Sequence, residues 1–335
     1  MSDALVTNRE GIVGTWQGKT LAPKWPANLD GVAALEKWEP WVRAATIDVD
    51  LLAALRFAVQ AAASGGAGAS RGSAHLAHVQ PGASATAVAP TAIVSIVQPP
   101  QQTFEDQLHF LDDYADLRED RAVEIVAQLA PPVGFWGAIV NLHPTRTRWT
   151  NELIDTLLRF ATSVEMRFKH ALDCPRPLAY SPQVQPMILT PGHGSLPSGH
   201  ATEAFAVARV LEALLPGGAA FRDQLQRQAA RVAINRTVAG VHFPIDSAAG
   251  RLLGDTLAGY FLARCGVRDA AGNPLAFEAR SFDGTKYPAP GGPDFDWREP
   301  LDNAADHHNL QTGTARVEAA PLLAWLWGMA AKEWQ

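Results

Sequence analysis

From Trp149 onward the apolar positions Leu153, Ile154, Leu157, Leu158, Ala161, Val164 and Phe168 recur at intervals of three and four, predicting one long amphipathic helix that ends near Lys169. The same period returns at roughly 200–215, 219–238 and 244–264, and again in a Trp-rich stretch at about 317–333. In the 244–264 segment Gly250, Gly254 and Ala258 form a stripe of small residues that lets another helix approach closely. Nearer the N-terminus, "LDGVAALEKWEPWV" and "VDLLAALRFAVQ" show helical spacing, and Thr103 with Asp106 three positions on opens a helix through "FEDQLHFLDDYADLRE". Period-two alternation is weak throughout. The pattern predicts an all-α fold: a helical bundle joined by long Pro/Gly-rich loops. Residues 1–100 read as a helical extension with an Ala/Gly/Ser-rich loop at 61–89, 101–281 as the core, and 282–335 as a loop-rich segment ending in a helix, all within one compact unit.

Composition changes this picture little. With 335 residues, 47% of them hydrophobic and 19% charged, the chain can bury a sizeable core. Its net charge of −6 gives no general attraction to nucleic acid or anionic membrane, so an anion site must be a local concentration of cations. The N-terminus lacks a basic patch followed by an apolar run, and "ATAVAPTAIVSIV" at 85–97 is too short and too proline-broken to span a bilayer. A cytoplasmic protein with no membrane span is therefore expected. Cys174 and Cys265 make neither a disulfide framework nor a thiolate metal site and are expected to be reduced and partly buried. The Trp-rich ends offer apolar surface for packing between copies in a homo-oligomer.

Three segments carry the chemistry: "KHALDCPRP" (169–177), "HGSLPSGH" (193–200) and "NRTVAGVHFPID" (235–246). Each has an ordinary reading alone: Lys169 at a helix C-terminus, Arg176 in a turn, Ser198 as an N-cap, Arg236 as a solvated helix charge. Together they solve one problem. A tetrahedral oxyanion needs fixed cations, exposed amides and a group that exchanges a proton or makes a bond. Lys169, Arg176 and Arg236 supply the charges. Ser198 and Gly199 at a helix start supply a hydroxyl and amides, with no Cβ at Gly199 to hold the anion away. His200 and His242 supply acid–base, nucleophilic or coordination chemistry. Asp246, close to His242, can hold the Nδ1 proton and turn the Nε2 lone pair forward, besides serving as a first-turn helix charge.

The pattern Lys169-x6-Arg176-Pro177, Pro197-Ser198-Gly199-His200, Arg236-x5-His242-x3-Asp246 resembles the superfamily that unites type 2 phosphatidic acid phosphatases, bacterial class A acid phosphatases and vanadium-dependent haloperoxidases. The resemblance covers about 80 residues, 169–246, and departs at Asn235, where the phosphatases usually carry serine. It implies a helical bundle whose core helices converge on the anion. In the phosphatases the residue matching His242 attacks phosphorus and that matching His200 protonates the leaving group. In the haloperoxidases the residue matching His242 coordinates vanadium, those matching Lys169, Arg176, Ser198, Gly199 and Arg236 bind the vanadate oxygens, and that matching His200 assists peroxide activation.

Between these, His193 lies five positions before Ser198, where bromoperoxidases of the superfamily carry histidine, and "PSGHAT" and "AGVHFPIDSAAG" resemble haloperoxidase segments. Against them, only 35 residues separate His200 from Arg236, a span closer to the phosphatases. The sequence reading therefore favours a vanadate-dependent haloperoxidase acting on peroxide and halide, bromide over chloride, with His193 among its catalytic residues. The alternative is a soluble acid phosphatase or phosphotransferase that acts on phosphate esters through a phosphohistidine and needs no cofactor. A non-catalytic anion-binding protein is disfavoured because both histidines are present. "DHH" at 306–308 reads as a loop feature, since adjacent histidine side chains diverge in most backbone conformations.

Overall fold

The computed structural model describes residues 12, 14–18, 20–25, 32–62, 71–80, 89–130, 133–288, 290–303 and 305–335, and divides into two units, Met1–Glu36 and Lys37–Gln335. In the first unit the described residues up to 25 are exposed, Trp16 and Trp25 among them.

The larger unit runs α1 (Pro40–Ala53), β1 (Leu55–Gln60), β2 (Ser73–His78), β3 (Thr91–Val97), α2 (Gln101–Asp106), α3 (Leu108–Asp113), α4 (Arg118–Ala127), α5 (Val133–Val140), α6 (Arg148–Leu172), α7 (Pro177–Tyr180), α8 (Gly199–Leu214), α9 (Arg222–Val238), α10 (Pro244–Arg264), β4 (Phe277–Asp283), β5 (Asn309–Ala315) and α11 (Pro321–Lys332). The all-α expectation is overturned: about 53% of the chain is helical, and five strands form a mixed sheet in the order β1-β2-β3-β4-β5. Neighbours are antiparallel except β3 and β4, which run parallel with Val94 opposite Arg280 and Ile96 opposite Phe282. The cause is pairing between segments remote in sequence, which no local period records.

Several local readings change with it. "VDLLAALRFAVQ" is the end of α1 followed by β1, not one helix. The expected 61–89 loop contains β2, while its stretches 63–70 and 81–88 lie outside the described residues. The helix expected across 104–119 is broken into α2, α3 and the start of α4.

The helices that place the site follow from composition. α8 and α10 are apolar nearly all round and are correspondingly buried, with Phe205, Leu211, Leu253 and Leu257 among their core residues. α6 presents its apolar stripe to them and to the sheet, where Phe168 meets Phe57 of β1 edge-on at 5.0 Å. α11 packs on the start of α6 within the chain: Glu333 accepts the Trp149 and Thr150 amides, both at 2.9 Å, so the C-terminal segment caps that helix. Cys174 and Cys265 are free and buried. Among the described residues no helix is long and apolar enough to cross a membrane.

The glycine stripe of α10 sets a close helix-to-helix contact in the core. A Cβ at Gly254 would stand 2.2 Å from the Thr202 carbonyl oxygen, and one at Gly250 2.6 Å from that of Ser198. Backbone cannot yield as a side-chain tip can, so these glycines lock the start of α8 to α10. Gly254→Ala is expected to cost ~3 kcal/mol of stability, read as a lower urea midpoint at unchanged slope.

Candidate active site

α6 ends at Leu172 on a left-handed Asp173 (φ 41°), which turns the chain toward Arg176. α9 ends before Gly240, whose φ of +76° sharply redirects the backbone, so that His242 lies on the short link into α10. Ser198 caps α8, its Oγ accepting the Ala201 amide, and its own amide donates to the Asp246 carbonyl at 2.9 Å. These three chain reversals bring Lys169, Arg176, His193, Gly199, His200, Arg236 and His242 around one cavity of about 190 Å3. Ser198 and Asp246 are fully buried and do not line it; they stand behind Gly199 and His242.

Hydrogen bonding fixes the tautomers. His242 Nδ1 lies 3.0 Å from Asp246 Oδ2, which also accepts the Phe243 amide at 2.9 Å and the Ser195 hydroxyl. Nδ1 therefore carries the proton, and the Nε2 lone pair accepts from Arg176 Nη1 at 2.9 Å. Burial first, then Arg176 and Lys169, holds the His242 pKa well below the usual histidine value, so the ring is neutral and nucleophilic. Burial pushes the Asp246 carboxyl up, opposed by the Ser195 and Phe243 donors. Asp246 thus orients the histidine and accepts the amide of Phe243, the residue that caps α10.

His200 Nε2 lies 2.9 Å from the Gln128 carbonyl, which only accepts, so Nε2 bears hydrogen and Nδ1 is the atom left to exchange a proton. Burial and then the Arg236 charge lower its pKa to about 4. Lys169 Nζ donates to the carbonyls of Ser195 at 3.1 Å and Pro197, and points to that of Gly194 at 3.4 Å, clamping the 194–197 loop. Burial lowers its pKa to about 8. Arg176 holds the same loop through the His193 carbonyl at 3.1 Å and His193 Nδ1 at 3.0 Å, and that Nδ1 also lies 3.2 Å from the Gly194 carbonyl. Arg236 is the least satisfied cation. Its Nη2 donates to Gln128 Oε1 at 2.7 Å, while Nε and Nη1 are buried with no partner, and burial lowers its pKa to about 10. A buried guanidinium with two nitrogens lacking a protein acceptor fits an anion. The amides of Gly199 and His200, first in α8, have no intrahelical acceptor and add to that demand.

Three residues of the site escaped the sequence reading. Glu165 and Glu203 line the cavity; burial, joined for Glu165 by the neighbouring Glu203, pushes the Glu165 carboxyl well up, and Glu203 is also raised by burial. Glu165 explains Gly199 differently from the sequence argument: a Cβ there would lie 2.4 Å from Glu165 Oε1, so the glycine makes room for a carboxyl group. Glu165 sits one turn before Lys169 on the same helix face, and that i, i+4 spacing was the available signal. The third is Gln128, fully buried, whose side-chain oxygen serves Arg236 and Asn235 while its carbonyl serves His200. No sequence signal marks it. Asn235, the departure noted above, belongs to this supporting layer and also accepts from Arg121 at 2.9 Å.

Residues 154–267, which include every cation and histidine of this cavity, match the family model described as the PAP2 superfamily. The chain carries a PAP2 superfamily domain. A solved structure similar to it is that of the first transmembrane PAP2-type phosphatidylglycerolphosphate phosphatase from Bacillus subtilis, at 18% identity over 48% of this chain and 84% of that one, with a TM-score of 0.39. Comparison with curated proteins gives no match. The PAP2 superfamily domain thus spans α6 to α10, apart from the first turns of α6, while the sheet, α1–α5 and α11 lie outside the matched residues.

The "DHH" histidines depart from expectation. Instead of diverging, the rings of His307 and His308 stack at 4.1 Å, each with Nε2 3.2 Å from a different oxygen of Glu299. The three groups could be mistaken for a metal site, their ligand atoms lying within 4.8 Å of one another. His307 Nδ1, however, accepts the Asn309 amide at 3.0 Å, which leaves the proton on Nε2 facing Glu299. The trio is a hydrogen-bonded carboxylate.

Proposed function

We propose that the chain is a phosphate monoester hydrolase or phosphotransferase working through a phosphohistidine on His242. One observation carries the reading: a neutral, Asp246-oriented Nε2 lone pair faces the same buried cavity as the half-satisfied Arg236 and as His200. His242 Nε2 attacks phosphorus as the ester P–O bond breaks, and His200 Nδ1 takes the proton that the substrate monoanion brings and passes it to the leaving oxygen. Water, or an acceptor alcohol, then attacks phosphorus and loses its proton to His200, and the P–N electron pair returns to Nε2. Arg176, Arg236 and the Gly199 and His200 amides bear the charge on the equatorial oxygens, while Asp246 stabilises the imidazolium formed. Arg176 must release Nε2 for attack, exchanging the imidazole for phosphate oxygen. The outer wall of the cavity is apolar, formed by Leu129, Met166, Ile188, Leu189 and Pro191, with Leu189 94% exposed, which suits an ester of an apolar alcohol or phenol.

The pH dependence follows. Free His200 is neutral near pH 6, so the proton for the leaving group arrives with the substrate monoanion, whose loss at a second pKa of roughly 6 lowers kcat/KM. Lys169 is charged below about 8 and loses that charge as pH rises through it, which adds a second downward limb. A profile of kcat/KM highest on the acid side, falling in two stages, is the expected result.

A second reading, halide oxidation at vanadate, keeps one specific observation: His193 is joined to Arg176 on the wall of the same cavity. The residues fit that group, since His242 Nε2 and the idle Arg236 N–H groups would hold it as they would phosphate. Bound vanadate would supply a Lewis-acid centre for peroxide. One preparation assayed for p-nitrophenyl phosphate hydrolysis, and for bromination of a phenol dye with peroxide and orthovanadate, separates the two. Hydrolysis inhibited by vanadate, without bromination, is expected; bromination without hydrolysis would replace the first reading by the second.

A further inference from the structure

A larger cavity, about 700 Å3, lies farther along α8 and shares no residue with the catalytic one. Its walls are Phe205, Arg209 and Glu212 of α8, Arg222 of the start of α9, Arg251 and Asp255 of α10, and the loop residues Trp297 and Arg298. Arg209 is ten positions after Gly199, ~15 Å along the helix axis at 1.5 Å per residue.

The charges there do not balance. Four arginines, 209, 222, 251 and 298, face two carboxylates, Asp255 and Glu212. Asp255 is already shared by Arg209, at 2.7 Å, and by Arg280 behind the wall. Glu212 is taken by Arg222 at 2.6 Å. Arg251 feels Asp255, Glu299 and Asp296 at longer range, but its hydrogen bond among the described residues goes to a main-chain acceptor, the Glu299 carbonyl at 2.6 Å, and it lies 5.8 Å over the Phe205 ring. Among the described residues Arg298 has no carboxylate ion-pair partner, its guanidinium lying 4.6 Å from the Trp297 ring. Arg227 approaches the same ring at 5.8 Å. Two guanidinium groups without a direct ion pair among the described residues therefore face a cavity much larger than one tetrahedral anion, and planar forks of this kind match phosphate oxygens in pairs.

We propose that this cavity is a second anion site, separate from the catalytic one, for an oligophosphate: a diphosphate or triphosphate group, free or carried on an organic molecule. Arg251 and Arg298 grip the outer oxygens, Arg209 and Arg222 remain bridged to their carboxylates, and Trp297 offers a face to whatever the phosphates carry. The site stands on its own geometry and does not depend on the reaction at His242.

The test uses the full chain carrying Arg236→Met, which silences the catalytic anion site, titrated calorimetrically with inorganic tripolyphosphate and, separately, with adenosine triphosphate. Binding of about one equivalent is expected, weakened at least tenfold when Arg251→Gln and Arg298→Gln are added and at least threefold by the exposed Arg298→Gln alone. Tighter binding of the nucleotide than of tripolyphosphate would identify an organic carrier, and equal binding the free anion. Vanadate inhibition of the Arg251→Gln, Arg298→Gln protein with Arg236 intact is expected to be unchanged, which also reports that it folds. Absence of binding to the Arg236→Met protein, or binding indifferent to both glutamine substitutions, would overturn the proposal.

Discussion

Replacing His242 by alanine is expected to lower kcat for p-nitrophenyl phosphate by about 10,000-fold or more, with the circular dichroism spectrum unchanged. The size follows from what His242 alone provides. Its Nε2 lone pair is kept free of a proton by the Asp246 hydrogen bond on Nδ1 and by burial among cations, while His200 has the separate task of carrying a proton. Asp246→Asn should be nearly as damaging, about 1,000-fold or more, because an amide can present its NH2 to Nδ1 and so favour the tautomer with the proton on Nε2. Glu165→Gln, a neighbour outside this hydrogen-bond chain, should leave kcat within a few-fold. If the His242→Ala protein retained a tenth of the activity, the nucleophile would have to lie elsewhere.

Arg236→Met gives the second large effect, and its two halves have opposite signs. In the free protein Arg236 is a cation whose Nε and Nη1 have no protein partner and whose pKa burial lowers to about 10, so its charge is held at a cost. Methionine keeps most of the packing and removes that cost, while Gln128 Oε1 retains Asn235 as a donor, so the melting temperature without ligand should stay level or rise. Catalysis should suffer: kcat/KM is expected to fall about 1,000-fold, the scale for losing a preorganised charge-stabilising donor. Phosphate at about 100 times its dissociation constant should stabilise the native chain by ~2.7 kcal/mol and leave the variant unmoved at the same concentration. A variant that lost stability and still responded to phosphate would make Arg236 a structural residue.

The helices nearest the site were legible because their signals are local. The spacing of Leu153 to Phe168 sets the buried face of α6, and Ser198, Gly240 and Pro244 mark the ends of α8, α9 and α10 within a residue or two. The sheet was not. "SAHLAH" of β2 has no β-branched residue, "LRFAVQ" of β1 continues the helical spacing of α1, and β3 finds its parallel partner, β4, far along the chain, from Val94 to Arg280. Sheet pairing of this kind is a tertiary fact. The site divides the same way. His242 and Asp246 are four positions apart at a helix start, so sequence alone placed them together. Gln128 reaches the site from α4 through a main-chain carbonyl and a buried amide, and Glu165 through room made at Gly199. Such contacts depend on how helices cross, which single-helix periodicity does not encode.

The central claim is a covalent bond between His242 and phosphorus, and the most direct measurement looks for it in the His200→Ala protein. Phenolate departs from p-nitrophenyl phosphate without needing a proton, so the first step should proceed while hydrolysis stalls. Mass spectrometry of the quenched protein should then find about one phosphoryl group per chain on His242, stable in base and lost in acid as a P–N bond is. An unmodified His242 after complete burst turnover, or a phosphoryl group on any other residue, would contradict the account.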